Sequence, residues 1–245
     1  MDIAHDADSC ESEDDSVDDI PEIEMITQFA TALPLHTDSH IRVAWCNIAG
    51  CDDIQKIERV MALMRAQRLD ILCLTDTRII SPVWGNAIRS AAMQRLGAGS
   101  TVDIHVTSKS GPKDFVHVGG QIIIKGPRIN VPTSPFCDPS GCAAIAGIDL
   151  RVGNVDIRII STYFPGSTGS PNPDSAGLWD KLQKHLHCQS QHITPIEYIQ
   201  SYITEKIQQQ IGVSGSICLI GGDFNATRNA NSAGTGVHPP IDSWG

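Results

Sequence analysis

The stretch "SICLIGGDFNATRN", residues 216 to 229, decides how this chain is read. Ile217 to Ile220 is a short apolar run with β-branched ends, the pattern of a buried strand. Gly221 and Gly222 free the backbone to turn sharply or to let another group approach closely. In extended chain, side chains two apart point the same way. Asp223 and Asn225 are therefore expected to project together from the strand's C-terminal edge, with Phe224 directed back toward the core. A carboxylate beside a neutral amide suits a water, a hydroxyl or a hard cation such as Mg2+. Asp and Asn also close strands as Asx turns, and these residues alone do not choose between the two.

Working outward, other apolar strands end in the same way. Ile41 to Trp45 alternates apolar and polar and runs out at Asn47 and a turn at Gly50. Asp52 is placed to cap a helix, with Gln55 three residues on, and Ile54, Ile57, Met61 and Met64 recur at helical spacing. "LDILCL" follows as a second buried strand and stops at Asp76, which completes a β–α–β unit. A second helix is expected from about Trp84 to Leu96. "TVDIHVTS" and "GGQIIIKG" read as strands around a loop, "KSGPKDF", and "AAIAGIDLRV" and "VDIRIISTYFP" as a hairpin joined at Gly153-Asn154. The second hairpin strand ends at Tyr163. A Gly/Ser/Pro/Asn-rich loop runs to about Gly177, and helices around "WDKLQKHL" and "IEYIQSYITEKIQQQI" lead into the opening stretch. Strands and helices alternate without a repeat, so the fold class is α/β or α+β in layers. Asn47, Asp76, Tyr163, Asp223 and Asn225 all fall at C-terminal strand ends, the edge where open α/β sheets build sites.

Charge is distributed unevenly. No Lys or Arg precedes Arg42, whereas 12 of the 28 acidic residues lie in 1–41; the rest carries 18 basic and 16 acidic residues, 18 − 16 = +2. Residues 1–38 are therefore expected to form a disordered acidic tail, and 39–245 the folded domain. The near-neutral body neither demands nor forbids a polyanionic partner. No apolar run reaches the roughly 18 residues of a membrane span, and the acidic N-terminus lacks the pattern of a signal peptide. Eight cysteines without CxxC spacing suit a reducing, intracellular compartment. The cluster His185, His187, Cys188 and His192 matches no standard zinc spacing.

Taken in order, four motifs carry a resemblance: "NIAG" from Asn47, "LCLTDTR" with Asp76, "STYFP" with Tyr163, and "IGGDFNA" with Asp223 and Asn225. They resemble the motifs of the endonuclease/exonuclease/phosphatase superfamily, which includes apurinic endonucleases, pancreatic deoxyribonuclease, inositol phosphatases and retrotransposon endonucleases. The resemblance covers about residues 41–230. It implies a four-layered α/β/β/α sandwich and cleavage of a phosphodiester with Mg2+ or Mn2+. By position, it implies that Asp76 ligates the metal with support from Asn47. Tyr163 would hydrogen-bond the phosphate or the attacking water, Asp223 would orient or deprotonate that water, and Asn225 would hold a phosphate oxygen.

Two departures qualify the pattern. Asp76 stands where the family usually has Glu, one methylene longer. No Ser-Asp-His motif occurs in the sequence, and His238 lacks the preceding Ser-Asp. The expectation is therefore that this motif and a final strand pair are missing from a fragment or a truncated gene product, and that the 245-residue chain alone nicks DNA weakly or not at all. "TDTR", "TYFPG" and the helices before "GDFN" are closest to retrotransposon endonuclease domains. This implies DNA as partner, a reverse transcriptase domain in a longer polypeptide, and a nuclear location. A catalytically inactive nucleic-acid-binding remnant is the alternative from another class. An inositol-phosphate or sphingomyelin-type enzyme is the alternative within the superfamily.

Overall fold

The computed structural model describes residues 40–51, 53–79, 82–106, 119–165, 177–211 and 215–225. The acidic tail, the "KSGPKDF" loop, the loop after Pro165 and His238 lie outside them.

Strand β1 (Val43–Asn47), helix α1 (Ile54–Ala66) and strand β2 (Ile71–Thr75) form the expected unit, with β1 and β2 parallel and Asn47 opposite Thr75. Helix α2 (Pro82–Leu96) leads to β3 (Thr101–His105), and β4 (Gln121–Lys125) lies antiparallel between β2 and β3. The first sheet thus has the order β1-β2-β4-β3. The second sheet has the order β5-β6-β7-β8, from β5 (Thr133–Cys137), β6 (Ile145–Val152), β7 (Val155–Tyr163) and β8 (Ile217–Asp223). Helices α3 (Leu178–Cys188) and α4 (Pro195–Ile211) connect β7 to its parallel neighbour β8.

Side-chain alternation along the strands turns these elements into four layers. On one face of the first sheet, Leu72, Leu74, Ile122 and Ile124 pack against Ile57, Met61 and Ile88 of α1 and α2. The opposite face, Ile71, Cys73 and Ile123, meets Ile148, Ile157 and Ile159 of the second sheet. The outer face of that sheet, Ile145 and Ile160, packs on Leu182, Leu186, Ile199 and Ile203 of α3 and α4. Three cores therefore separate α, β, β and α layers. Truncating one of their fully buried isoleucines to alanine costs about 2–5 kcal/mol.

Several local expectations are corrected. The α1 cap is Asp53, not Asp52: its Oδ1 accepts the Gln55 N–H at 2.9 Å. At the start of α4, Thr194 and Glu197 form a reciprocal capping box, with N···Oε2 at 2.7 Å and N···Oγ1 at 3.2 Å. Strand β5 was not anticipated, because Pro135 interrupts its run; as an edge strand it tolerates the missing N–H. Gly221 and Gly222 do not make a turn. They lie inside β8 because neighbours press on them: a Cβ on Gly221 would sit 2.3 Å from the Trp45 ring, and one on Gly222 (φ +143°) 1.9 Å from the Thr162 carbonyl oxygen. Nor is β8 a buried central strand, since Ile217 and Ile220 are exposed on this edge strand. Phe224 turns outward as well, stacking beside Phe164 with ring centroids 5.4 Å apart.

Candidate active site

The site residues arrive from both sheets. Asn47 is the last residue of β1, Asp76 follows β2, Tyr163 ends β7, and Asp223 ends β8 opposite Tyr163. Because β1 and β2 are parallel, as are β7 and β8, these four strands deliver their C-terminal ends to one mouth. The decisive contact spans the two sheets: Asn47 Nδ2 donates to Asp223 Oδ2 at 2.5 Å across 176 positions of sequence. The Asn47 amide is fixed from its other end, where Oδ1 accepts the Ala49 N–H at 2.8 Å. The other oxygen of Asp223 accepts the Asn225 N–H at 2.9 Å. Asn225 adopts φ +47° and its Nδ2 donates to the Phe164 carbonyl at 2.5 Å. An Asx-type turn is thus present, as the bland reading required, but its carboxylate is also gripped from the other sheet.

Tyr163 lies opposite Asp223 in the β7–β8 register and feels the charges of both carboxylates. Burial, then the charges of Asp76 and Asp223, push its pKa up to about 12, with Arg78 and a side-chain hydrogen bond from Asn225 opposing. The hydroxyl stays protonated at neutral pH and is available as a donor.

Asp76 is 2% exposed and is not left open. Arg78 Nε lies 3.2 Å from each of its oxygens, Arg78 Nη2 lies 2.7 Å from Oδ2, and the Gly119 N–H lies 3.3 Å from Oδ1. The segment is held by backbone bonds from Gly50 N–H to the Asp76 carbonyl (2.7 Å) and from Arg78 N–H to the Gly119 carbonyl (3.0 Å). Asp76 and Arg78 both take the left-handed conformation, φ +52° and +54°. Arg78 is the residue at this mouth that the motifs did not single out. Its signal was its place in "TDTR", two positions after a carboxylate expected to be a ligand.

The donor types here, carboxylates and an amide oxygen, suit Mg2+ or Mn2+. The arrangement does not, because a guanidinium already faces both oxygens of Asp76. Among the described residues no group of three or more His, Cys, Asp or Glu is placed to hold a metal ion. Within the cluster around His185, the His185 ring lies against Tyr198, centroids 5.9 Å apart.

No protein-family model matches the chain, and no curated protein matches it in sequence. Its fold is similar to solved structures of the endonuclease/exonuclease/phosphatase superfamily. One is the 3′ phosphatase NExo from Neisseria bound to a product DNA hairpin, with 14% identity and TM-score 0.48, covering 76% of this chain and 58% of that one. Another is the endonuclease domain of TRAS1, a telomere-specific non-LTR retrotransposon, with 14% identity and TM-score 0.40, covering 77% and 62%. A third is an endonuclease/exonuclease/phosphatase family protein from Leptotrichia buccalis, with 12% identity and TM-score 0.38, covering 61% and 63%. The chain spans less than two thirds of the length of each.

Proposed function

We infer that this chain carries the hydrolytic centre of a phosphodiesterase of the endonuclease/exonuclease/phosphatase type, acting on DNA. The observation that carries this reading is the Asn47–Asp223 hydrogen bond between the sheets, with Tyr163 at the end of β7 opposite Asp223. Asp223, fixed through both oxygens, is suited to take a proton from water as that water's oxygen bonds to phosphorus. The P–O bond to the leaving sugar oxygen breaks, and solvent supplies the proton that oxygen needs. Tyr163 supports the phosphate oxygens with its O–H, and the Asn225 amide, bonded to the Phe164 carbonyl and to the Tyr163 hydroxyl, holds that hydroxyl in place. The Arg78 guanidinium opposes the charge that develops there. Mg2+ or Mn2+ belongs to this reading only with Arg78 drawn away from Asp76, so no step is routed through a metal here. A retrotransposon origin, a linked reverse transcriptase and a nuclear location remain part of the proposal on the strength of the motifs alone. Among the described residues no helix is long and apolar enough to cross a membrane.

Nicking of supercoiled plasmid tests the reading, with Mg2+ or Mn2+ supplied. Slow nicking that Asp223→Asn removes, while the thermal transition stays unchanged, supports it. Loss of one preorganised donor to a phosphate typically costs about 100- to 1,000-fold in rate, so the assay must resolve slow nicking. The assay therefore runs at high enzyme concentration and long times. Nicking that survives Asp223→Asn refutes the assignment. The Arg78 fork on Asp76 favours one second reading, a module that binds nucleic acid without cleaving it. Tight, salt-dependent DNA binding with no nicking identifies that case.

A further inference from the structure

Two buried aspartates flank β2, and each is held by an arginine. Asp70, just before the strand, accepts Arg128 Nε and Nη2 at 2.6 Å each and the Arg42 N–H at 2.8 Å, far from any candidate chemistry. Asp76, just after it, accepts Arg78 at the mouth that also holds Tyr163 and Asp223. In both pairs solvent reaches the arginine and not the aspartate: 43% against 3% for Arg78 and Asp76, and 35% against 3% for Arg128 and Asp70. The Asp76 pair differs in two respects. The two residues lie two apart on a left-handed segment, so the loop itself aims the guanidinium back at the carboxylate. Gly50 (φ +96°) leaves room for the arginine stem: a Cβ there would stand 3.2 Å from Arg78 Cδ.

We propose that Arg78 is a built-in competitor for divalent cations: its guanidinium covers the ligand face of Asp76, and a metal ion binds there only when that side chain swings out toward solvent. The physical basis is direct. A buried carboxylate needs a positive partner, and a planar guanidinium engages both oxygens at once. A metal ion therefore gains only the difference between its own attraction and that of the fork it displaces. The part-exposed arginine side chain gives the guanidinium a route to solvent. The proposal rests on the geometry at Asp76 and does not depend on phosphodiester cleavage.

Binding of Mn2+ to the full chain, read by calorimetry and by the loss of the free-ion electron paramagnetic resonance signal, tests it. Arg78→Met keeps the stem and removes the charge; it should bind Mn2+ at least about tenfold more tightly than the wild type. The double variant Arg78→Met/Asp76→Asn should lose that gain. Arg78→Met should also melt lower than the wild type without metal and recover with Mn2+, whereas the wild-type transition should barely move. Should Arg78→Met not fold, Arg78→Lys keeps a point charge without the fork and should bind Mn2+ between the other two. Wild-type Mn2+ binding that is abolished by Asp76→Asn yet unchanged by Arg78→Met or Arg78→Lys overturns the proposal. So does an Arg78→Met protein that folds and gains no affinity. Either result leaves the plasmid assay to judge the hydrolytic reading separately.

Discussion

The two glycines of β8 give a quantitative test of how the second sheet meets the first. Gly221→Ala places a methyl 2.3–2.7 Å from three atoms of the Trp45 ring, whose Nε1 donates to the Ile160 carbonyl at 3.1 Å. Something must shift, and overpacking of this kind costs about 1–3 kcal/mol. Gly222→Ala meets backbone, with the Thr162 carbonyl oxygen 1.9 Å away at a positive φ. No rotamer relieves it, so a strain of about 1–3 kcal/mol adds to the overpacking. Urea unfolding measures both. With a slope of about 2 kcal/mol/M, the first variant should lower the midpoint by about 1 M and the second by about 1–3 M. The causes separate in a Trp45→Leu background. There Gly221→Ala should become milder by about 1 kcal/mol or more, while the cost of Gly222→Ala should hold within about 0.5 kcal/mol. If Gly221→Ala costs the same with Trp45 present or absent, the indole is not what demands the glycine, and the docking of β1 on β8 described above is wrong.

Other expectations follow from single contacts. Asn47→Ala removes a donor to a carboxylate, worth about 1.5–3 kcal/mol; it should lower kcat about tenfold or more in the nicking assay, with KM little changed. Tyr163→Phe should reduce nicking while leaving the melting temperature near that of the wild type. Arg128→Met should destabilise the fold by about 3 kcal/mol by stranding buried Asp70, yet leave Mn2+ binding as it is, in contrast to Arg78→Met. Burial holds His105 below the usual histidine pKa, against the opposing charges of Asp103 and Asp138. The unfolded chain therefore takes up that proton first as pH falls. This contribution to stability is full above about pH 6.5 and declines below it, until the pH passes the folded value. Melting temperatures between pH 7.5 and 5.5 should fall more steeply for the wild type than for His105→Gln.

Much of the architecture was legible because the apolar spacing is strict. Ile57, Met61 and Met64 recur on one helical face, and "LDILCL" admits nothing but a buried strand, so the β–α–β unit and its polar end at Asp76 could be read directly. The hairpin at Gly153-Asn154 was readable for the same reason, from turn chemistry between two alternating runs. Two features were hidden because residue types alone show neither a close approach from another strand nor a left-handed backbone. A glycine pair looks the same whether it turns the chain or yields to Trp45 and Thr162. "TDTR" likewise shows a carboxylate and an arginine, but not that a left-handed backbone folds one onto the other. Strand β5 was hidden by Pro135, which is harmless only at a sheet edge.

Among the described residues the first sheet is drawn from 43–125 and the second from 133–223, with no strand exchanged between them. A ribosome therefore delivers the strands of the first sheet before those of the second exist. Asn47 waits, already placed, until the last described strand brings Asp223 to it. The connection at 126–132 is anchored rather than slack: Arg128 within it pairs with buried Asp70, and Ile129 is buried. The amide comes from the early part of the chain and the carboxylate from the late part, so the contact between them exists only once both sheets do.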